Sequence, residues 1–150
     1  AIRYPRGRGT TIDWKTSFQE IQIGKAEKLT EGDKIAVLVT GSLTETALQL
    51  AEVYPKAVAV YYFGFVKPLD LEVLQEVFSN YSTVITLEDG VVSGGFGSAI
   101  AEEAIRQNYT GKLELLGIPD RFIEQGTTEE LKASVGLDFE SLKVRLSYFM

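Results

Sequence analysis

From residue 35 onward the chain alternates short apolar runs with stretches whose apolar residues recur every three or four positions. Ile35-Ala36-Val37-Leu38-Val39 contains no polar residue and ends at Gly41, the pattern of a strand buried on both faces. Ser42 and Glu45 are spaced as a capping box, and Leu43, Ala47, Leu48 and Ala51 follow at helical spacing. Ala57–Phe63 predicts the next buried strand, after which Pro68 and Asp70 open a helix with Leu71, Leu74, Val77 and Phe78 on one face. Thr83–Leu87 predicts a strand, Phe96–Asn108 a helix and Lys112–Leu116 another strand. Two helices close the chain. Thr127 and Glu130 form a second capping box, Gly136 is placed to stop that helix in a left-handed turn, and Asp138 opens the last helix, with Phe139, Leu142, Leu146 and Phe149 on one face.

The first part of the chain is less regular. Residues 1–18 are rich in Gly, Arg and Thr and read as a strand end and linker, with Trp14 and Phe18 as packing anchors. Glu20–Ile23 alternates polar and apolar positions and predicts a short strand. Glu31-Gly32-Asp33 suggests a hairpin turn, with residues 25–29 as one of its strands. Strands alternating with helices predict a three-layer α/β/α domain with a mixed, mostly parallel sheet of about five strands. In such sheets ligands and partners meet the loops beyond the carboxyl ends of the strands, which here begin at Gly41, Gly64, Glu88 and Gly117.

Composition narrows the chemistry. Of 150 residues, 45% are hydrophobic and 24% charged, enough for one domain with its own core. No apolar run approaches the roughly 20 residues of a membrane helix. The chain has no cysteine and no histidine, which removes disulfides, thiolate metal sites and the usual base near neutral pH. A cytoplasmic location is the default expectation, and catalysis by this chain alone is disfavoured. The net charge is −6, yet Arg3, Arg6, Arg8 and Lys15 face only Asp13 within the first 18 residues. An acidic body argues against nucleic acid. The basic segment either grips a small anion through guanidinium forks or pairs with the acidic body. So function-like a cluster at the first residues predicts that the chain is the back part of something longer.

Two further clusters lie at predicted strand ends. Glu88-Asp89-Gly90 and Ser93-Gly94-Gly95-Phe96-Gly97-Ser98 join a buried strand to a helix N-terminus, where close backbone approach and anion binding are both possible. The spacing departs from G-x-G-x-x-G and no Walker lysine follows, so a packed contact with another domain is the preferred reading over a nucleotide site. Glu88 and Asp89, adjacent in extended chain, should point in opposite directions. Gly117–Thr127 reads as a rigid connector in which an Asp120–Arg121 pair and Phe122 hold the last helices.

The stretches AIRYPRG at residues 1–7, FVKPLD at 65–70, TLEDGVVSGGFGSA at 86–99 and LGIPDRFIEQGTTEEL at 116–131 together resemble the C-terminal end of the 1-deoxy-D-xylulose-5-phosphate synthase family. The resemblance implies a transketolase-like C-terminal domain over residues 19–150, preceded at 1–18 by the end of a pyrimidine-binding domain and a linker. It also implies a thiamine diphosphate- and Mg-dependent transferase that joins pyruvate to glyceraldehyde 3-phosphate, working as a homodimer. Earlier domains would hold the cofactor, none binding to this segment, and no residue here would be catalytic. Arg6 matches the family's phosphate-contacting arginine, with Arg3 as a second. Glu88, Asp89, Gly94, Gly95, Asp120 and Arg121 would face the other domains or the second subunit. Gly64 and Arg8 depart from the family's frequent Arg and Asn. The competing expectations are the β subunit of a 2-oxo-acid dehydrogenase and an autonomous small-ligand module using the glycine loop.

Overall fold

A computed structural model describes residues 1, 2, 17 and 20–150; the expectations for Arg3, Arg6, Arg8, Trp14 and Phe18 lie outside the described residues. Five strands form one mixed sheet: β1 (Ala26–Thr30), β2 (Gly32–Thr40), β3 (Lys56–Phe63), β4 (Thr83–Val91) and β5 (Lys112–Ile118), in the order β1-β3-β2-β4-β5. Only the β1–β3 pair is antiparallel. The helices are α1 (Thr44–Val53), α2 (Leu71–Asn80), α3 (Phe96–Arg106), α4 (Thr128–Ser134) and α5 (Phe139–Ser147).

The period-2 geometry of a strand divides each apolar run between two cores. Ile35, Val37 and Val39 of β2, with Val58, Val60, Ile85 and Leu87, pack under α1 and α5 through Ala47, Leu50, Leu142 and Leu146. Ala36 and Leu38, with Ala59, Tyr61, Phe63 and Val84, pack under α2 and α3 through Leu74, Val77, Phe96 and Ile100. Layers on both faces make the expected α/β/α arrangement, and they explain why β2 and β3 carry no polar alternation. Among the described residues no helix is long and apolar enough to cross a membrane.

Three local expectations are corrected. Glu20–Ile23 forms no strand: Ile21 and Ile23 are exposed and the chain turns at Ile23–Gly24, so the alternation there has no sheet to face. Glu31-Gly32-Asp33 is not a hairpin turn, because β1 and β2 lie on opposite sides of β3. The chain crosses β3 at Gly32, where a Cβ would stand 2.3 Å from Val58 C and Ala59 N, so only glycine allows the crossing. Ser42 caps no helix. The chain runs through a 3-10 turn at Gly41–Leu43, placing the N-cap of α1 at Leu43 and leaving Ser42 Oγ to bond elsewhere. The capping box of Thr127 and Glu130, the positive φ of Gly136 (73°) and the Asp138 cap of α5 all stand as expected.

Asp70 ties the antiparallel edge to the second core. Its Oδ1 accepts the amide of Val73 at 3.3 Å, capping α2, and its Oδ2 accepts the amide of Ala26 at 3.0 Å at the start of β1. Burial opposes ionisation of this carboxyl, but the two amides and Lys25 outweigh it and hold its pKa below the usual range. Glu130, bonded by the Thr127 amide and hydroxyl, and Asp138, bonded by Ser141, are shifted the same way. A depressed folded-state pKa stabilises above the unfolded value and is lost as pH falls through the folded one. Stability should therefore decline as pH drops below about 4. Asp70→Ala should lower the unfolding free energy at neutral pH by about 2 kcal/mol. Urea denaturation across pH should show that loss, together with a shallower acid slope in the variant.

Candidate functional site

The strand order reverses between β2 and β4: the chain leaves β2 toward β3 on one side and returns to β4 on the other. A crevice outside the carboxyl ends of these two strands is where open α/β sheets bind ligands or partners. β4 runs past the expected Leu87 to Val91, so Glu88 and Asp89 sit on the strand end itself, within an irregularity of its pairing with β5 between Leu87 and Val91.

The two carboxylates diverge as extended backbone requires. Glu88 is buried against α3, where its Oε2 accepts the amide of Phe96 at 3.0 Å and its Oε1 the amide of Gly97 at 2.8 Å. These are the first two amides of the helix, which have no partner within it, and the positive end of its dipole favours the charge. The glycines around Glu88 make room both for it and for the backbone beside it. A Cβ at Gly95 would lie 2.3 Å from the Val91 carbonyl oxygen and 2.4 Å from Glu88 Oε2, and one at Gly117 on β5 would lie 2.8 Å from Glu88 Cγ and from Val92 Cγ2. Gly94 takes the positive φ (72°) of the turn before α3, and its amide donates to Ser98 Oγ at 3.1 Å. The anion that this glycine-rich helix start accommodates is thus the chain's own side chain. A nucleotide phosphate would have to displace it.

Asp89 faces the other way. Its Oδ2 accepts Ser42 Oγ at 2.7 Å, joining the turn after β2 to the end of β4 across the reversal point. Below this bond lies an apolar cavity of about 280 Å³ lined by Leu43, Ile118, Ile123, Leu131, Val135 and Leu137, with Ser42, Asp89, Thr128 and Lys132 also lining it. Asp120 and Arg121 lie exposed on the loop between β5 and α4 and form no ion pair with each other. Phe122 is fully exposed, which corrects the expectation that it anchors the last helices; Ile123 makes that loop's apolar contact instead. The role of Ile123 was hidden because Phe122 is the larger neighbour, and only the backbone direction decides which one turns inward.

A larger open groove of about 990 Å³ lies at the far end of the sheet, between the ends of α2 and α3. Its carboxylates are already engaged, Glu72 by Lys25 at 2.6 Å and Glu103 by Arg106 at 3.4 Å. Among the described residues no group of three or more acidic side chains is placed to hold a metal. With the α3 amides taken by Glu88, these residues do not fit Mg²⁺ or a diphosphate.

The fold is an α/β/α domain whose strand-order reversal carries an apolar cavity beside a helix start filled by Glu88. Residues 24–142 match the transketolase C-terminal domain, and the chain belongs to that family. A Phocaeicola vulgatus protein named 1-deoxy-D-xylulose-5-phosphate synthase is 43% identical over 98% of this chain and 24% of its own length. The Parabacteroides distasonis protein of the same name is 41% identical over 97% of this chain and 23% of its own. The chain thus spans about a quarter of the length of these curated relatives. A solved structure described as a split-gene transketolase, inactive β4 tetramer, superposes with a TM-score of 0.78 at 28% identity, over 87% of this chain and 44% of that one.

Removing the Glu88 carboxylate should expose the dependence of α3 on it. Glu88→Ala leaves two buried amides without acceptors and should cost about 3 kcal/mol, whereas Glu88→Gln, with one acceptor left, should cost about 1–2 kcal/mol. Urea midpoints decide; equal and negligible losses would show that α3 does not need the clamp.

Proposed function

We propose that this chain is the C-terminal domain of a thiamine diphosphate-dependent synthase that condenses pyruvate with glyceraldehyde 3-phosphate, releasing CO₂ and forming 1-deoxy-D-xylulose 5-phosphate. The observation that carries the reading is identity of about 40% along nearly the whole chain to proteins bearing that name. The same relatives favour the synthase over a 2-oxo-acid dehydrogenase β subunit.

In this reading the other domains of such an enzyme hold Mg²⁺ and thiamine diphosphate, while the α3 N-terminus of this one is taken by Glu88. This domain contributes packing. Glu88 fixes α3 on β4 and β5, the Ser42–Asp89 bond fixes the loop after β2, and the surface so held carries Gly94, Gly95, Asp120 and Arg121 toward the other domains of a cytoplasmic homodimer. Arg6, with Arg3 as a second candidate, contributes a guanidinium fork to the phosphate of the acceptor substrate.

In the full-length enzyme, Arg6→Ala should raise the KM for glyceraldehyde 3-phosphate by about tenfold to a hundredfold while leaving that for pyruvate nearly unchanged. Steady-state kinetics varying each substrate in turn make the comparison. Equal changes for both would reject the phosphate role, and failure of the full-length enzyme to release CO₂ from pyruvate on addition of glyceraldehyde 3-phosphate would reject the reading as a whole.

A further inference from the structure

The amino ends of β4 and β5 carry a wall built from two aromatic rings. Phe78 of α2 and Tyr109, just beyond α3, stack with centroids 4.7 Å apart and planes 29° to each other. The Tyr109 hydroxyl donates to the strand starts, 3.0 Å from the Tyr81 carbonyl and 3.3 Å from that of Lys112, which fixes the ring across them. A Cβ at Gly111 would stand 2.3 Å from Tyr109 Oη, so glycine is what lets the ring lie there. Both rings line the groove of about 990 Å³ between the ends of α2 and α3. That volume is at the upper end of the roughly 300–1,000 Å³ of small-molecule sites.

The lining decides the charge of the ligand. Among the described residues it contains no lysine or arginine, so a phosphate or carboxylate would find no counter-charge. Its two carboxylates already have cationic partners, Glu72 in Lys25 and Glu103 in Arg106, which leaves neither free for a cation. What remains is neutral. Gln75, Asn80, Ser82, Asn108 and Thr110 line the groove in exposed positions, and among the described residues their side chains form no hydrogen bond to the rest of the chain. An amide side chain sets an acceptor beside two donors, and a hydroxyl offers both roles, which answers the neighbouring hydroxyls of a sugar. The weakly positive C–H groups of a pyranose ring suit the negative face of an aromatic one.

We propose that this groove binds a neutral sugar, its C–H groups against the Phe78–Tyr109 wall and its hydroxyls bonded by the Gln75 and Asn108 amides from the two helix ends. The lack of a cation excludes phosphorylated sugars, so the ligand differs in charge from the phosphorylated substrate of the proposed synthase. The groove lies at the opposite end of the sheet from Glu88, and its assignment does not rest on the synthase reading.

Titration of the nitrogen-15-labelled 150-residue chain with D-glucose, D-galactose, D-mannose, maltose and cellobiose, followed by amide chemical shifts, tests the proposal. At least one of these sugars should shift the amides of residues 80–82 and 108–111 saturably. Gln75→Ala combined with Asn108→Gly should raise the dissociation constant of that sugar by about tenfold, the loss of one or two hydrogen bonds. Both side chains are exposed, and glycine accepts the positive φ of Asn108 (54°), so the double variant should keep the amide spectrum of β2 and β3. No saturable shift with any of the five sugars, shifts spread beyond the groove, or an affinity unchanged in the double variant would each overturn it. So would a preference of the same amides for inorganic phosphate or spermidine over every sugar.

Discussion

A carboxylate taken out of water is stable only where hydrogen bonds replace its solvation, and Glu88 obtains them from the first two amides of α3. The rest of the crevice is arranged around that exchange. β4 must run beyond its last core residue to deliver the side chain, and a Cβ at Gly95 or at Gly117 on the neighbouring strand would collide with it as well as with the strand-end chain at Val91 and Val92. α3 is thereby fixed to β4 and β5 at the end of the sheet where the strand order reverses. The cost of burial and the unmet amides of the helix cancel each other, and neither partner can be removed without exposing the other.

This constraint also separates two possibilities that look alike in sequence. A strand followed by glycines and a helix suits a phosphate, and it suits an internal carboxylate equally well. The difference is one residue, an acidic side chain at the strand end pointing toward the helix rather than away from it. Asp89, one position on, points away and does a different job, joining β4 to the loop after β2.

The layered core was legible because its signals are local and repeated. An unbroken apolar run at Ile35–Val39, closed by Gly41, suits a strand covered on both faces, and the caps at Thr127 and Asp138 depend on atoms three residues apart. What was not legible depends on residues distant in sequence. The glycine at position 32 is needed because β3 passes beneath it, and Gly117 because Glu88, Val92 and the Gly90 carbonyl crowd against it. Ser42 has the spacing of a cap, yet Asp89, 47 residues away, takes its hydroxyl. The Ile21 and Ile23 alternation carries a real period with no sheet to answer it. The glycine cluster was correctly placed at a strand-to-helix junction, but its occupant became visible only in three dimensions.

Amide hydrogen exchange at Phe96 and Gly97 tests the central claim most directly. The first amides of a helix have no intrahelical acceptor and ordinarily exchange quickly. If Glu88 holds them, both should exchange as slowly as the buried amides of β4 and lose that protection in Glu88→Ala. Exchange in the unaltered chain as fast as in an unstructured peptide would contradict the account.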